Sequence, residues 1–162
     1  GVFFGIGLSA LYILYRVSIP HYAVLGKLPE AGVFKNKLRY QEAQDEESIL
    51  IIRYDDDIFF GNSDHFTDCI LTEINKHPKT RDLVLDISSI SFVDSTGLRQ
   101  MKILFKIIKE QEIRIHLTGA KGVVRDIFRK NNIYDEIGED NFHFNIQGAL
   151  DDIEKTENQL IK

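Results

Sequence analysis

A chain of 162 residues holds one ordinary domain with an extension, not two complete ones, since single cores typically take roughly 100–150 residues. Its formal charge of −5, from 20 basic and 25 acidic side chains, leaves no basic surface to neutralise a phosphate backbone and argues against nucleic acid as a partner. Hydrophobic residues at 43% and charged residues at 28% exclude both a disordered chain and one embedded in lipid throughout. Cys69 is the single cysteine, so no intramolecular disulfide can form. The five histidines lack the i, i+4 spacing that puts two imidazoles on one helix face. No metal or other cofactor is therefore expected.

Residues 1–15 carry no charged side chain, and then Arg16, Ser18 and Pro20 arrive together. A membrane helix needs about 20 apolar residues, and a secretory signal carries a basic stretch ahead of its apolar run; this segment is too short for the first and lacks the second. Gly1, Gly5 and Gly7 would each cost about 1 kcal/mol in a soluble helix, whereas membrane helices use small residues to pack closely. The segment reads as the final turns of a membrane helix of a longer protein, leaving the bilayer through Tyr12 and Tyr15 to Arg16 on the cytoplasmic side. The competing reading is a buried or interfacial amphipathic helix. Residues 1–18 are thus expected to be a helix end with its connector, and residues 19–162 the folded domain.

After Pro20, His21–Leu28 reads as a strand closed by Pro29, Ala31 and Gly32. Residues 35–48 form a polar, increasingly acidic connection to a second β-rich run, Ile49–Tyr54, ended by Asp55, Asp56 and Asp57. These two runs are expected to pair. Ser63 or Asp64 is expected to cap a helix with Phe66, Ile70 and Ile74 on one face, stopped by Pro78. Leu83–Ile87, nearly all apolar apart from Asp86, reads as a strand covered on both faces. A helix beginning around Asp94 to Gly97 aligns Leu98, Met101, Leu104, Phe105 and Ile108 in one stripe. Ile113–Thr118 alternates as a strand; Val123, Val124, Ile127 and Phe128 mark a helix ended by Asn131 and Asn132. The short apolar run Phe142–Phe144 precedes a last helix from about Ile146, with Leu150, Ile153 and Leu160 at helical spacing. Two early strands followed by βαβα units with right-handed crossovers imply an α/β domain: a mixed sheet of about four to five strands whose later strands are parallel.

The loop Ser88–Gly97 concentrates the chemistry. Asp94 is a good N-cap, which puts Ser95 and Thr96 in the first helical turn. There, unpaired N–H groups and the positive end of the macrodipole favour an anion, and hydroxyls are open to modification. Gly97 is expected to let a partner backbone or a bound phosphate approach closely. A plain helix start accounts for the same residues, because Ser, Thr and Asp are what caps require.

Phe92-Val-Asp-Ser-Thr-Gly-Leu98, following Val84-Leu-Asp-Ile87 and preceding a long amphipathic helix, resembles the signature of the STAS domain, named for sulfate transporters and anti-sigma-factor antagonists. The likeness continues through the run from Tyr15 to Gly26, Phe34, Arg39-Tyr40, Phe59-Phe-Gly-Asn62 and the run from Thr118 to Asp126. These stretches look like the C-terminal region of SulP-type anion permeases, so the resemblance covers nearly the whole chain. It implies the STAS fold, with helices mainly on one face of the mixed sheet. It also implies a place below a membrane domain that carries the transport site, on the cytoplasmic face of the cell membrane, the inner one in a bacterium. In the antagonist branch a partner kinase phosphorylates the hydroxyl residue just before the glycine, a position that falls on Thr96, with Ser95 beside it. Nucleotide binding, associated with the family, would place an anion or nucleotide near Asn62, Asp94, Ser95, Thr96, Gly97 and Lys121.

Other features read as structural. Gly119-Ala-Lys-Gly122 lacks the P-loop spacing and is expected to be a turn with a solvated Lys121. Asp86 and Asp94 come closest to a carboxylate pair and are expected to order the loop; no nucleophile elbow or metal motif points to an enzyme. The acidic stretches Asp45–Glu47 and Asp55–Asp57 are expected to be solvated loops. The leading function is therefore a regulatory module of a secondary transporter for sulfate, bicarbonate or dicarboxylate, acting on transport, assembly or trafficking. Its expected partners are the transporter's own membrane domain, protein regulators at Asp94–Gly97, and a second copy met through the full-length transporter. A soluble antagonist phosphoswitch and a nucleotide sensor are the alternatives; an antagonist has no use for the apolar first fifteen residues, whereas a permease tail requires them. Selectivity among anions belongs to membrane helices outside this chain.

Overall fold

The computed structural model describes residues 1–17, 20–28, 32–40, 43 and 48–160. The β-rich runs pair into one six-stranded sheet in the order β2-β1-β3-β4-β5-β6. Its strands are β1 (Tyr22–Lys27), β2 (Phe34–Asn36), β3 (Ile49–Tyr54), β4 (Asp82–Asp86), β5 (Arg114–Thr118) and β6 (Phe142–His143). β1 runs antiparallel to both β2 and β3, while β3, β4, β5 and β6 are mutually parallel. The mixed sheet and its parallel half match expectation; the strand count does not. β2 has three residues and lies in the stretch read as a polar connection, too short for an alternating pattern to register. β6 has two. The expected turn residues Pro29 and Ala31 and the acidic stretch Asp45–Glu47 lie outside the described residues.

Helices α2 (Ser63–Lys76), α3 (Ser95–Glu110), α4 (Gly122–Lys130) and α5 (Ile133–Ile137) contribute to the large core on one face, and α6 (Ile146–Leu160) covers the other. The periodic stripes explain this directly: Phe66, Ile70 and Ile74 of α2 and Leu98, Met101, Leu104, Phe105 and Ile108 of α3 are all buried. Each such side chain contributes roughly 1.5–3 kcal/mol of transfer free energy. Along β4, Leu83 and Leu85 face this core while Val84 faces the α6 side, so the strand is buried on both faces as its composition requires. Asn62, rather than Ser63 or Asp64, is the residue preceding α2. α5 is too short at five residues to show helical periodicity and was not foreseen.

Beneath α6 the sheet carries charge. Asp82, fully buried, receives a bidentate contact from Arg114 (Nε to Oδ1 2.7 Å, Nη2 to Oδ2 2.8 Å). His116 Nε2 donates to Asp82 Oδ1 at 3.0 Å, and its Nδ1 lies 3.2 Å from His143 Nε2. The buried His116 and the half-buried His143 thus both have partners.

Strand register places the site. Tyr22 pairs with Tyr54, Arg53 with Asp86, Asp86 with Thr118, and Thr118 with His143. The start of β1 and the carboxyl ends of β3 to β6 therefore share one edge of the sheet. α1 (Val2–Val17) precedes that edge, and its residues as far as Tyr15 are all exposed. Among the described residues no helix is long and apolar enough to cross a membrane.

Candidate functional site at the carboxyl edge of the sheet

Three loops meet at this edge: residues 55–62 after β3, 87–94 after β4 and 119–121 after β5. Parallel strands leave their carboxyl ends and the following helix N-termini together, which is where α/β sheets commonly hold ligands and partners. The first two loops clamp one another. Phe60 N–H donates to Asp94 Oδ2 (2.9 Å), and Ser91 and Phe92 N–H donate to Asp57 Oδ1 (2.6 and 2.9 Å). Between these contacts Ile58 and Val93 form a parallel bridge, with Ile58 N–H on Phe92 O (3.1 Å) and Asp94 N–H on Ile58 O (3.1 Å).

Asp94 caps α3 as expected: its Oδ1 accepts from Gly97 N–H at 2.7 Å. Ser95 is exposed and Thr96 half-buried in the first turn. Gly97 corrects the sequence reading, because it faces inward. A Cβ there would stand 2.8 Å from both the carbonyl oxygen and Cγ2 of Ile58 and 3.1 Å from Val93 Cγ1. The glycine lets the β3–α2 loop approach α3; it leaves no opening for a phosphate. Asn62 is likewise internal at 2% exposure, donating to Asp57 O (2.8 Å) and accepting from Phe59 N–H (2.9 Å). Lys121 is exposed, and its Nζ also donates to Ser91 Oγ (2.7 Å) and Ser89 O (3.2 Å). The six expected residues thus belong to one edge, but Asn62, Asp94, Gly97 and Lys121 build the loops. The exposed hydroxyl of Ser95 and the partly exposed Thr96 remain accessible.

The run Asp55–Asp57 is a loop with Asp56 exposed, and each of its carboxylates also has a partner. Asp55 pairs with Arg53 (2.6 Å), Asp56 accepts from His21 N–H (2.9 Å), and Asp57 holds the neighbouring loop. Asp57 is the site residue that sequence reasoning missed, since three consecutive carboxylates look alike until their partners, up to 35 residues away, are known. Asp86 orders the loop as expected, its Oδ1 accepting from Ser88 N–H (3.1 Å) and Thr118 Oγ1 (3.4 Å).

Beside these loops lies a groove of about 580 Å³ between β5, β6 and α4, into which Arg125, Arg129, His143 and Glu139 face together with Phe142 and Phe144. Burial, and then the neighbouring His116, hold His143 below its ordinary value. Cys69 is pushed up to about 12 by burial, so it stays a thiol at neutral pH and offers no nucleophile. Among the described residues no group of three or more potential ligands is arranged for a metal. The loop carboxylates are thus committed to backbone amides and one ion pair.

Comparison with known proteins agrees with this architecture. The family model described as the STAS domain matches residues 40–153. The chain is 28% identical over 159 residues to high affinity sulfate transporter 2 of Stylosanthes hamata, covering 93% of this chain and 24% of that protein. It therefore spans about a quarter of the length of the curated relatives it matches. Among solved structures, SLC26A9 superposes with a TM-score of 0.84 at 18% identity, over 96% of this chain and 27% of that one. The murine Slc26a9 anion transporter in its inward-facing state gives 0.80 at 20% identity, over 92% and 24%. The STAS domain of a SulP transporter from Vibrio cholerae gives 0.59 at 19% identity, over 75% of this chain and 92% of that one.

Proposed function

We propose, from the premise that the chain belongs to the STAS-domain family, that it is the cytoplasmic regulatory module of a secondary anion transporter, hung from the membrane by α1. The observation that carries this reading is the junction of α1 with β1. A helix that carries no charged side chain before Arg16, and whose residues to Tyr15 are all exposed, runs, within five residues of its end, into the sheet edge at Tyr22. The likeness to SLC26A9 supports it: 96% coverage leaves only about 6 of the 162 residues unmatched, fewer than the 16 of α1, so part of α1 lies within the superposed fold. The names of the curated relatives favour sulfate as the first anion to test. On this reading the domain has no catalytic role and acts on transport, assembly or trafficking.

Membrane attachment is tested by flotation. The full chain is expected to rise with phosphatidylcholine vesicles, while a Leu8→Asp, Leu11→Asp variant with the same circular dichroism spectrum stays in the dense fraction, since a charged side chain in the bilayer costs about 3 kcal/mol. A wild-type chain that remains in the dense fraction refutes the attachment. Transport is tested by sulfate uptake into vesicles carrying the native polypeptide that contains this chain, and no uptake removes sulfate as its anion.

Ser95 and Thr96 are the proposed regulatory positions. A phosphate on Thr96 adds roughly −2 charge at the start of α3, favourable to the helix but repelling any acidic surface docked there. Thr96→Glu is expected to change uptake several-fold relative to Thr96→Ala. If both variants transport and bind partners as the wild type does, Thr96 is not a switch.

A further inference from the structure

The geometry points to the carboxyl edge of the sheet as a lipid-facing surface: Phe60, Phe92, Val123 and Phe144, which follow the four parallel strands in turn, enter the interfacial layer of the bilayer that holds α1. This inference rests on α1 being the membrane attachment proposed above. The four side chains are 75%, 52%, 65% and 93% exposed, on a domain whose other large apolar residues mostly lie in its cores. Strand register sets them beyond the same row as Tyr22. With neighbouring strands about 4.8 Å apart, even the tip after β6 lies roughly 19 Å along the edge from β1. The five residues from Val17 to Tyr22 span at most about 18 Å. A bilayer boundary at the end of α1 that runs parallel to this edge therefore lies within that same ~18 Å of every member of the row.

Three features favour lipid over a protein partner. Phe60, Phe92 and Phe144 stand on loops and Val123 in the first turn of α4, each after a successive strand, a spacing that suits insertion among headgroups. The loop carboxylates are engaged by backbone amides: Asp57 and Asp94 accept the N–H groups of Phe92 and Phe60 themselves, and the exposed Asp56 accepts from His21 N–H. The same contacts hold both phenylalanines outward, so little ordering is needed when they enter the interface. Beside them the exposed guanidinium of Arg125 is unpaired among the described residues and is free for a phosphate; Glu139 is the acidic neighbour in its groove.

The chain contains no tryptophan, so a single introduced indole reports its own surroundings. Phe60→Trp, Phe92→Trp and Phe144→Trp are made separately in the full chain and bound to phosphatidylcholine vesicles brominated near the top of the acyl chains. Insertion by the 5–10 Å usual for interfacial groups is expected to remove roughly half of each emission, with a blue shift. Val33→Trp, at the opposite end of the sheet, is expected to stay unquenched. Floating vesicles with no quenching at the three edge positions, or equal quenching at position 33, overturn the lipid-facing edge but leave the α1 attachment standing. Failure of the chain to float removes both. In the native full-length polypeptide, with any tryptophan outside this chain replaced by phenylalanine, protection of the same indoles from aqueous iodide without quenching by brominated lipid would assign the edge to protein contact and likewise overturn the inference.

Discussion

Gly97→Val is expected to lower the thermal midpoint of the domain by roughly 6–10 °C, through a loss of about 2–3 kcal/mol. The added Cβ would stand 2.8 Å from the carbonyl oxygen of Ile58, where ordinary contact begins near 3.4 Å. Ile58 cannot retreat cheaply. Its carbonyl accepts from Asp94 N–H, its N–H donates to Phe92 O, and its side chain is fully buried. Any shift opens the bridge between the two loops and with it the mutual hold of Asp57 and Asp94. Valine is the cleaner probe, because alanine in a helix recovers up to about 1 kcal/mol over glycine and would mask part of the clash. Ser95→Ala, exposed two residues earlier, is the control and should stay within about 0.5 kcal/mol of wild type. Equal melting of Gly97→Val and wild type would mean the close approach of Ile58 to α3 is not needed.

Asp82→Ala should be the more damaging single change on the opposite face, costing about 3 kcal/mol at pH 7. Removing one member of a buried pair leaves the other charge uncompensated, typically a loss of 3–5 kcal/mol. Arg114 keeps 41% of its side chain in water and can partly rehydrate, which sets the expectation at the lower end. The pH dependence carries a sign. Burial alone would raise the Asp82 carboxyl, but hydrogen bonds from His116 and Arg114, with the charge of Arg114, hold it below its ordinary 3.8. Its contribution is therefore present above pH 3.8 and lost as pH falls through the folded value. Urea unfolding of wild type and Asp82→Ala should show a gap that is constant from pH 7 to 5 and closes below about pH 4. His143 acts in a different window. Depressed below 6.5 by burial and then by His116, it lowers stability as pH falls from 6.5 through its own folded value, in both proteins alike if the gap is to remain constant there. A gap that persists undiminished to pH 3 would show that the carboxylate charge is not what Asp82 supplies.

Both residues show where local pattern ends. Asp82 precedes a plainly apolar run, and nothing within several residues hints at Arg114 or His116, which lie 32 and 34 positions on. Gly97 sits in a motif where a glycine could serve a ligand, a partner or packing. Only the presence of Ile58 at 2.8 Å selects the last.

The sequence by itself determined the longer helices and the four longer strands, because their buried faces recur at 3.6 or 2 residues and burial is the dominant favourable term. It also determined the Asp94 cap, whose partner is three residues away, and the abrupt apolar start that separates α1 from everything after it. Tertiary structure alone decided the two shortest strands, too brief for any period to show. It decided as well that Asp57, Asn62 and Lys121 brace the loops, and that the start of β1 shares an edge with the carboxyl ends of β3 to β6. Those outcomes depend on strand order and on contacts between loops some thirty residues apart, and side-chain periodicity along one segment carries no information about which other segment lies beside it.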